Sequence, residues 1–163
     1  MLDAPLKYGL LAALAIALAV AAVTDLRSRR IGNGLNAGIA LAAPLFWWAS
    51  ALPLWPGVAA QLAVALVTFG ICAGLFAVRA MGGGDVKLLT ALALWIEPLL
   101  FVRLIVAMAL LGGLLTLLML FRRALQGGRE QLAVPYGVAI AIAGLWVITS
   151  HYLPGSGPVP VLG

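Results

Sequence analysis

The chain has 163 residues, 64% hydrophobic and 9% charged, with a formal net charge of +5. Soluble domains carry roughly 25% charged residues, so this composition, with mean hydropathy +1.15, excludes an ordinary soluble fold and predicts an all-α polytopic membrane bundle. Nor does the positive charge signal nucleic acid, because the basic residues fall in short segments between apolar runs.

A spanning helix needs about 20 residues, with a range near 17–25. The first apolar run, Tyr8–Thr24, is followed by the cluster Arg27 to Arg30. Val20-Ala21-Ala22 loosely matches a signal cleavage site, but a secretory signal carries its cations ahead of the apolar stretch. The run is therefore predicted to be a retained span. Leu35–Ala51 and Gly57–Val78 predict the second and third. The third holds Cys72, the single cysteine, which builds neither a disulfide framework nor a zinc cluster and reads as a small packing residue. Leu88–Ile96 is short and stops at Glu97-Pro98, where proline disfavours continuation. A short or partly re-entrant fourth helix, starting inside the protein, is expected.

The fifth run, Leu104–Phe121, contains Gly112-Gly113, which permits close helix packing. Gln126-Gly127-Gly128 interrupts the basic loop before the sixth run, Leu132–Ser150. Residues 1–153 are expected to form one membrane domain, and Pro154 to Gly163 a flexible Pro/Gly-rich tail. No internal repeat is evident.

Charge sets an expected orientation. With the N-terminus outside and six spans, both termini lie outside. Arg27, Arg29, Arg30, Arg79, Lys87, Arg122, Arg123 and Arg129 then fall on the cytoplasmic side, against Lys7 and Arg103 on the other. Trp47, Trp48, Trp55, Trp95, Trp146 and Tyr152 cluster near the predicted outer ends, as an interfacial belt would. His151 is expected at headgroup level there.

The chain has five acidic residues, and two stand at the edges of apolar runs. Ionisable groups at membrane depth are costly and mark functional sites by default. Asp25 closes the first run, at a helix C-terminus where the macrodipole disfavours an anion. Its bland reading is an ion pair with Arg27, Arg29 or Arg30. Asp85 follows Gly82-Gly83-Gly84 and opens the fourth run; its bland reading is a helix N-cap. A cap does not account for three glycines, which permit φ > 0 and close approach by another backbone, such as an extended substrate. Two carboxyls brought together share a proton and activate water. Asp85, at a helix N-terminus, is expected to ionise more easily and to act as base; Asp25 is expected to donate the proton. Asn33 and Asn36 are candidates for contacts to a substrate backbone, or for turns and caps. Lys87 is a candidate to tune Asp85 or meet a substrate carboxylate, or a solvated cation. No His or Cys partner suits a serine or cysteine mechanism, and no ligand set suits a metal. No cofactor is expected.

Thr24-Asp25-Leu26-Arg27-Ser28-Arg29-Arg30-Ile31-Gly32-Asn33-Gly34-Leu35-Asn36 resembles the first-aspartate motif of the type IV prepilin peptidases. Gly82-Gly83-Gly84-Asp85-Val86-Lys87-Leu88-Leu89 resembles their GxGD motif, and Pro135-Tyr136-Gly137 a further short motif. The resemblance covers essentially the whole chain. It implies an inner-membrane aspartic endopeptidase with Asp25 and Asp85 as catalytic pair. Its substrates would be prepilins or pseudopilins, cut behind a short basic leader at the cytoplasmic face. The paired CxxC region of larger, methylating members is missing, so the chain looks like the short form found with tight-adherence (Flp) pili. Gly32 stands where many relatives have proline, which predicts a looser loop after Asp25. Two rival readings remain: a proton-coupled transporter with Asp25 and Asp85 as relay, and a non-catalytic subunit of a pilus or secretion assembly.

Overall fold

A computed structural model describes residues 3–126 and 136–152. The expected tail after Pro154, Pro135 and Arg129 lie outside them. Six α-helices occur among the described residues: α1 (Asp3–Ser28), α2 (Asn33–Ala49), α3 (Ala59–Ala77), α4 (Gly83–Ala93), α5 (Pro98–Gln126) and α6 (Tyr136–His151). A short π-type turn, Leu54–Val58, leads into α3, with Trp55 extended inside it. Three helical stretches are long and apolar enough to cross a membrane: Pro5–Ser28, Leu54–Ala77 and Pro98–Leu125. α2, with 17 residues, and α6, with 16 among the described residues, approach that length. The expected short fourth helix is present, at 11 residues.

Burial sorts the helices into an inner and an outer set. On α4, Val86, Leu88, Leu89, Ala91, Leu92 and Ala93 are all buried, so nearly every face meets protein. α6 is similar, with small residues Gly137, Ala139, Ala141, Ala143 and Gly144 allowing close contact. α4 packs on α2, α3 and α6, and α6 on α1, α4 and α5. A Cβ on Gly144 would come within 2.9 Å of Leu18 Cδ1, which makes that glycine the tight point of the α1–α6 contact. α3 and α5 touch each other little and turn Leu66, Ile71, Leu110 and Leu117 outward, as lipid-facing helices do.

The turn after α4 is clasped from two sides. Trp47 Nε1 donates to Leu94 O at 2.6 Å, and Trp95 Nε1 to Ile39 O at 2.8 Å. Trp95 is 3% exposed and stacks on Phe46 with ring centroids 4.9 Å apart. It therefore belongs to the core, contrary to the interfacial placement expected from its sequence position. Trp48 and Trp55 are exposed at the same end of the bundle, and His151 there meets Arg103 at 2.8 Å.

Three helices end on non-glycine residues in the left-handed region. Arg29 (φ 53) follows α1. Ala51 (φ 50) follows α2, and Arg79 (φ 60) follows α3. At α3, Ala80 N donates to Leu75 O at 2.8 Å and Arg79 N to Phe76 O at 2.9 Å, a Schellman closure. It turns the chain at once into the glycine run, so α4 starts beside the end of α3.

Candidate functional site

Asp25 and Asp85 are brought together. Asp25 lies in the last turn of α1, and Asp85 in the first turn of α4, 7% and 9% exposed respectively. The carboxyls are close enough to repel each other. Both line two adjoining cavities at one end of the bundle, of about 440 and 660 Å³. The smaller is walled by Arg29, Arg30 and Asn33 together with the three glycines. The larger is walled by Phe76, Met81 and Tyr136, with Arg79 beside them. The acid pair is thus a ridge between a polar, basic hollow and a more apolar one.

The local sequence explains each placement. Gly82 is the N-cap of α4 (φ −74, ψ 141), which makes Asp85 the third helical residue rather than the cap expected as its bland reading. Its carboxyl folds back toward the Gly82 amide, the reach of an acidic residue at that position in a capping box. The glycines are not used for positive φ; each instead marks a close approach. A Cβ on Gly82 would lie 2.9 Å from Asp85 Oδ2, one on Gly83 3.3 Å from the Phe76 ring, and one on Gly84 3.2 Å from Ile31 Cβ. The approach serves neighbouring helices and the acid itself.

Asp25 has a second helix beside it. The first-turn amides of Gly137 and Val138 on α6 face its carboxyl, though Oδ2 is buried and closes no hydrogen bond. A Cβ on Gly137 would fall 2.8 Å from that Oδ2 and 2.9 Å from Ile31 Cδ1. Glycine alone lets the start of α6 lie against the acid. Arg29 is the cation whose field reaches Asp25, which narrows the three candidate arginines to one. Each acid therefore faces a helix N-terminus: Asp85 that of α4, Asp25 that of α6. The expected division of roles relied on the dipole of α1 alone, and α6 opposes that dipole at the same carboxyl.

Of the other predicted residues, Asn33 lines the smaller cavity, while Asn36 and Lys87 line neither. Asn36 Nδ2 donates to Gly84 O at 3.3 Å, strapping α2 to the start of α4. Lys87 Nζ donates to Asn33 Oδ1 at 2.7 Å, so it is engaged across the same seam rather than with Asp85. Gly32 is the N-cap of α2 with φ −62, already the angle a proline ring imposes, so the loop is not loosened in the expected way. Gly137, Ile31, Phe76 and Arg79 were not named as site residues from sequence. Gly137 and Ile31 had a visible signal, Gly137 beside Tyr136 in the late motif and Ile31 within the first-aspartate motif.

The model of the type IV leader peptidase family matches residues 12–117, which include both acids. The chain belongs to the type IV leader peptidase family. No curated protein and no solved structure matches it. The matched segment runs from α1 into α5, so the α6 residues against Asp25 come from outside it.

Proposed function

We propose that this family member is an aspartic endopeptidase of the GxGD type, acting on type IV prepilins or pseudopilins of the Flp (tight-adherence) kind. The carrying observation is that Asp25 and Asp85, distant in sequence, line the same two cavities at one end of the bundle. In this reading the coupled carboxyls share one proton. The ionised member takes a proton from water as that water attacks the scissile carbonyl. The protonated member donates to the carbonyl oxygen, and the tetrahedral intermediate collapses as the amine leaves with a proton. The scissile segment lies extended across the acid ridge. Its apolar helix follows the Phe76, Met81 and Tyr136 side, and the leader leaves by the polar hollow.

The site end also carries Arg27, Arg29, Arg30, Arg79, Lys87, Arg122 and Arg123, while Lys7 and Arg103 lie toward the other. By the positive-inside rule this supports a bacterial inner-membrane protein with its site at the cytoplasmic face. Both acids at one end speak against a relay through the membrane. Co-expression with a Flp-type prepilin tests the proposal. Leader removal, read by gel shift, is expected to stop in Asp25→Asn and in Asp85→Asn separately; cleavage surviving either change refutes the dyad.

A further inference from the structure

The end of the bundle opposite the acids carries a second polar focus. A cavity of about 440 Å³ lies there between α1, the end of α2, the π-type turn and the turn before α5. Lys7 and Glu97 both line it, and neither closes an ion pair with the other among the described residues. Ser50 and Gln61 also line it, and each carries a buried oxygen, Oγ and Oε1, with no hydrogen-bond partner. Gln61 is 5% exposed, and rotation of its amide turns either the carbonyl or the NH₂ toward the cavity. The Tyr152 hydroxyl accepts from Glu97 N at 3.0 Å and keeps its own proton to donate. Lys7 and Glu97, with the Tyr152 hydroxyl and the rotatable Gln61 amide between them in the lining, offer a ligand both signs of charge and hydrogen-bond partners.

We propose that this cavity binds the headgroup of phosphatidylethanolamine. The primary ammonium donates to Glu97 and to Gln61 Oε1, which rotation of the amide brings to the cavity. The phosphate meets Lys7 and the Tyr152 hydroxyl. The source is lipid, because exposed Trp48, Leu54 and Trp55 stand at the same end, where aromatic residues mark the headgroup level. A choline headgroup fits less well. Its quaternary nitrogen has no N–H, and the aromatic faces that would cage it are turned on each other. Phe46 stacks on Trp95 at 4.9 Å and lies tilted against Tyr152 at 6.2 Å. A glycerol headgroup lacks the ammonium that Glu97 calls for.

The test uses the full chain in detergent and does not depend on peptidase activity. Dioctanoyl-phosphatidylethanolamine, -phosphatidylcholine and -phosphatidylglycerol are titrated against the thermal unfolding midpoint, with retention of bound lipid read by native mass spectrometry. The ethanolamine lipid is expected to bind saturably and at least about tenfold more tightly than the other two. Lys7→Met and Glu97→Gln are each expected to weaken it about tenfold, the worth of one charge-assisted hydrogen bond. Equal binding of the three lipids overturns the proposal, and so does ethanolamine-lipid binding that neither substitution changes. Free phosphoethanolamine binding as tightly as the lipid overturns the lipid assignment. The comparison of lipids on the unmodified protein stands even if a variant fails to fold.

Discussion

Gly137→Ala isolates the geometric claim at the centre of the site. The added methyl would stand 2.8 Å from Asp25 Oδ2 and 2.9 Å from both Asp25 Cγ and Ile31 Cδ1. Ordinary contact begins near 3.4 Å, so either the carboxyl or α6 must move by about half an ångström. Overpacking of this kind costs about 1–3 kcal/mol. Alanine recovers up to about 1 kcal/mol over glycine in a helix, leaving a net loss of roughly 0–2 kcal/mol. Catalysis has no such offset. Misplacing a reacting group by about 1 Å costs on the order of a hundredfold, so a half-ångström shift is expected to slow cleavage by about tenfold or more. Gly144→Ala is the control. Its methyl would meet Leu18 Cδ1 at 2.9 Å, a similar overlap in the same helix but away from the acids. The assay pairs the thermal midpoint in detergent with prepilin cleavage rate per folded molecule. Gly137→Ala should lose rate out of proportion to stability, and Gly144→Ala stability without rate. Wild-type cleavage by Gly137→Ala, or an equal rate loss in both, refutes the reasoning.

Gly32→Pro should be neutral or stabilise by about 0.4–1 kcal/mol, because φ is already −62 and no atom lies within 4 Å of the added Cβ; thermal unfolding reads it. Lys87→Met removes an exposed hydrogen bond to Asn33 and should cost less than about 1 kcal/mol, leaving the cleavage pH profile in place, since Lys87 does not act on Asp85. A shifted profile would restore Lys87 to the site. Trp95→Phe removes one donor to Ile39 O and part of the ring stacked on Phe46, and should cost about 1–3 kcal/mol by denaturation, without changing cleavage by the folded fraction.

The helices were legible because composition and run length report burial in lipid directly. α1 and α3 lie where the apolar runs predicted them, and α4 is short, ending at Ala93 ahead of Glu97-Pro98. α1 continues to Ser28, so Asp25 lies in its last turn, at the C-terminal end the sequence predicted. The pairing of the acids was legible from their motifs. What surrounds them was not. The closure at Arg79 puts a positive φ on a residue whose type gives no warning of it. Asn36 and Lys87 are polar residues beside a motif, and sequence does not say whether such groups face a cavity or a helix seam. Trp95 shares its composition signal with the belt tryptophans, but its indole N–H finds a carbonyl on α2, and that bond decides its burial.

Gly82 and Gly137 share one physical purpose. Two carboxyls taken out of water need compensation, and long polar side chains would fill the hollows beside them. Backbone amides at helix starts compensate without occupying that space, provided the backbone can come close. Gly82 does this for Asp85 and Gly137 for Asp25, from the starts of α4 and α6. The compensation is deliberately incomplete at one atom: Asp25 Oδ2 is buried and accepts no hydrogen bond. Such an oxygen costs about 1–3 kcal/mol, and a proton held on the carboxyl relieves much of that cost.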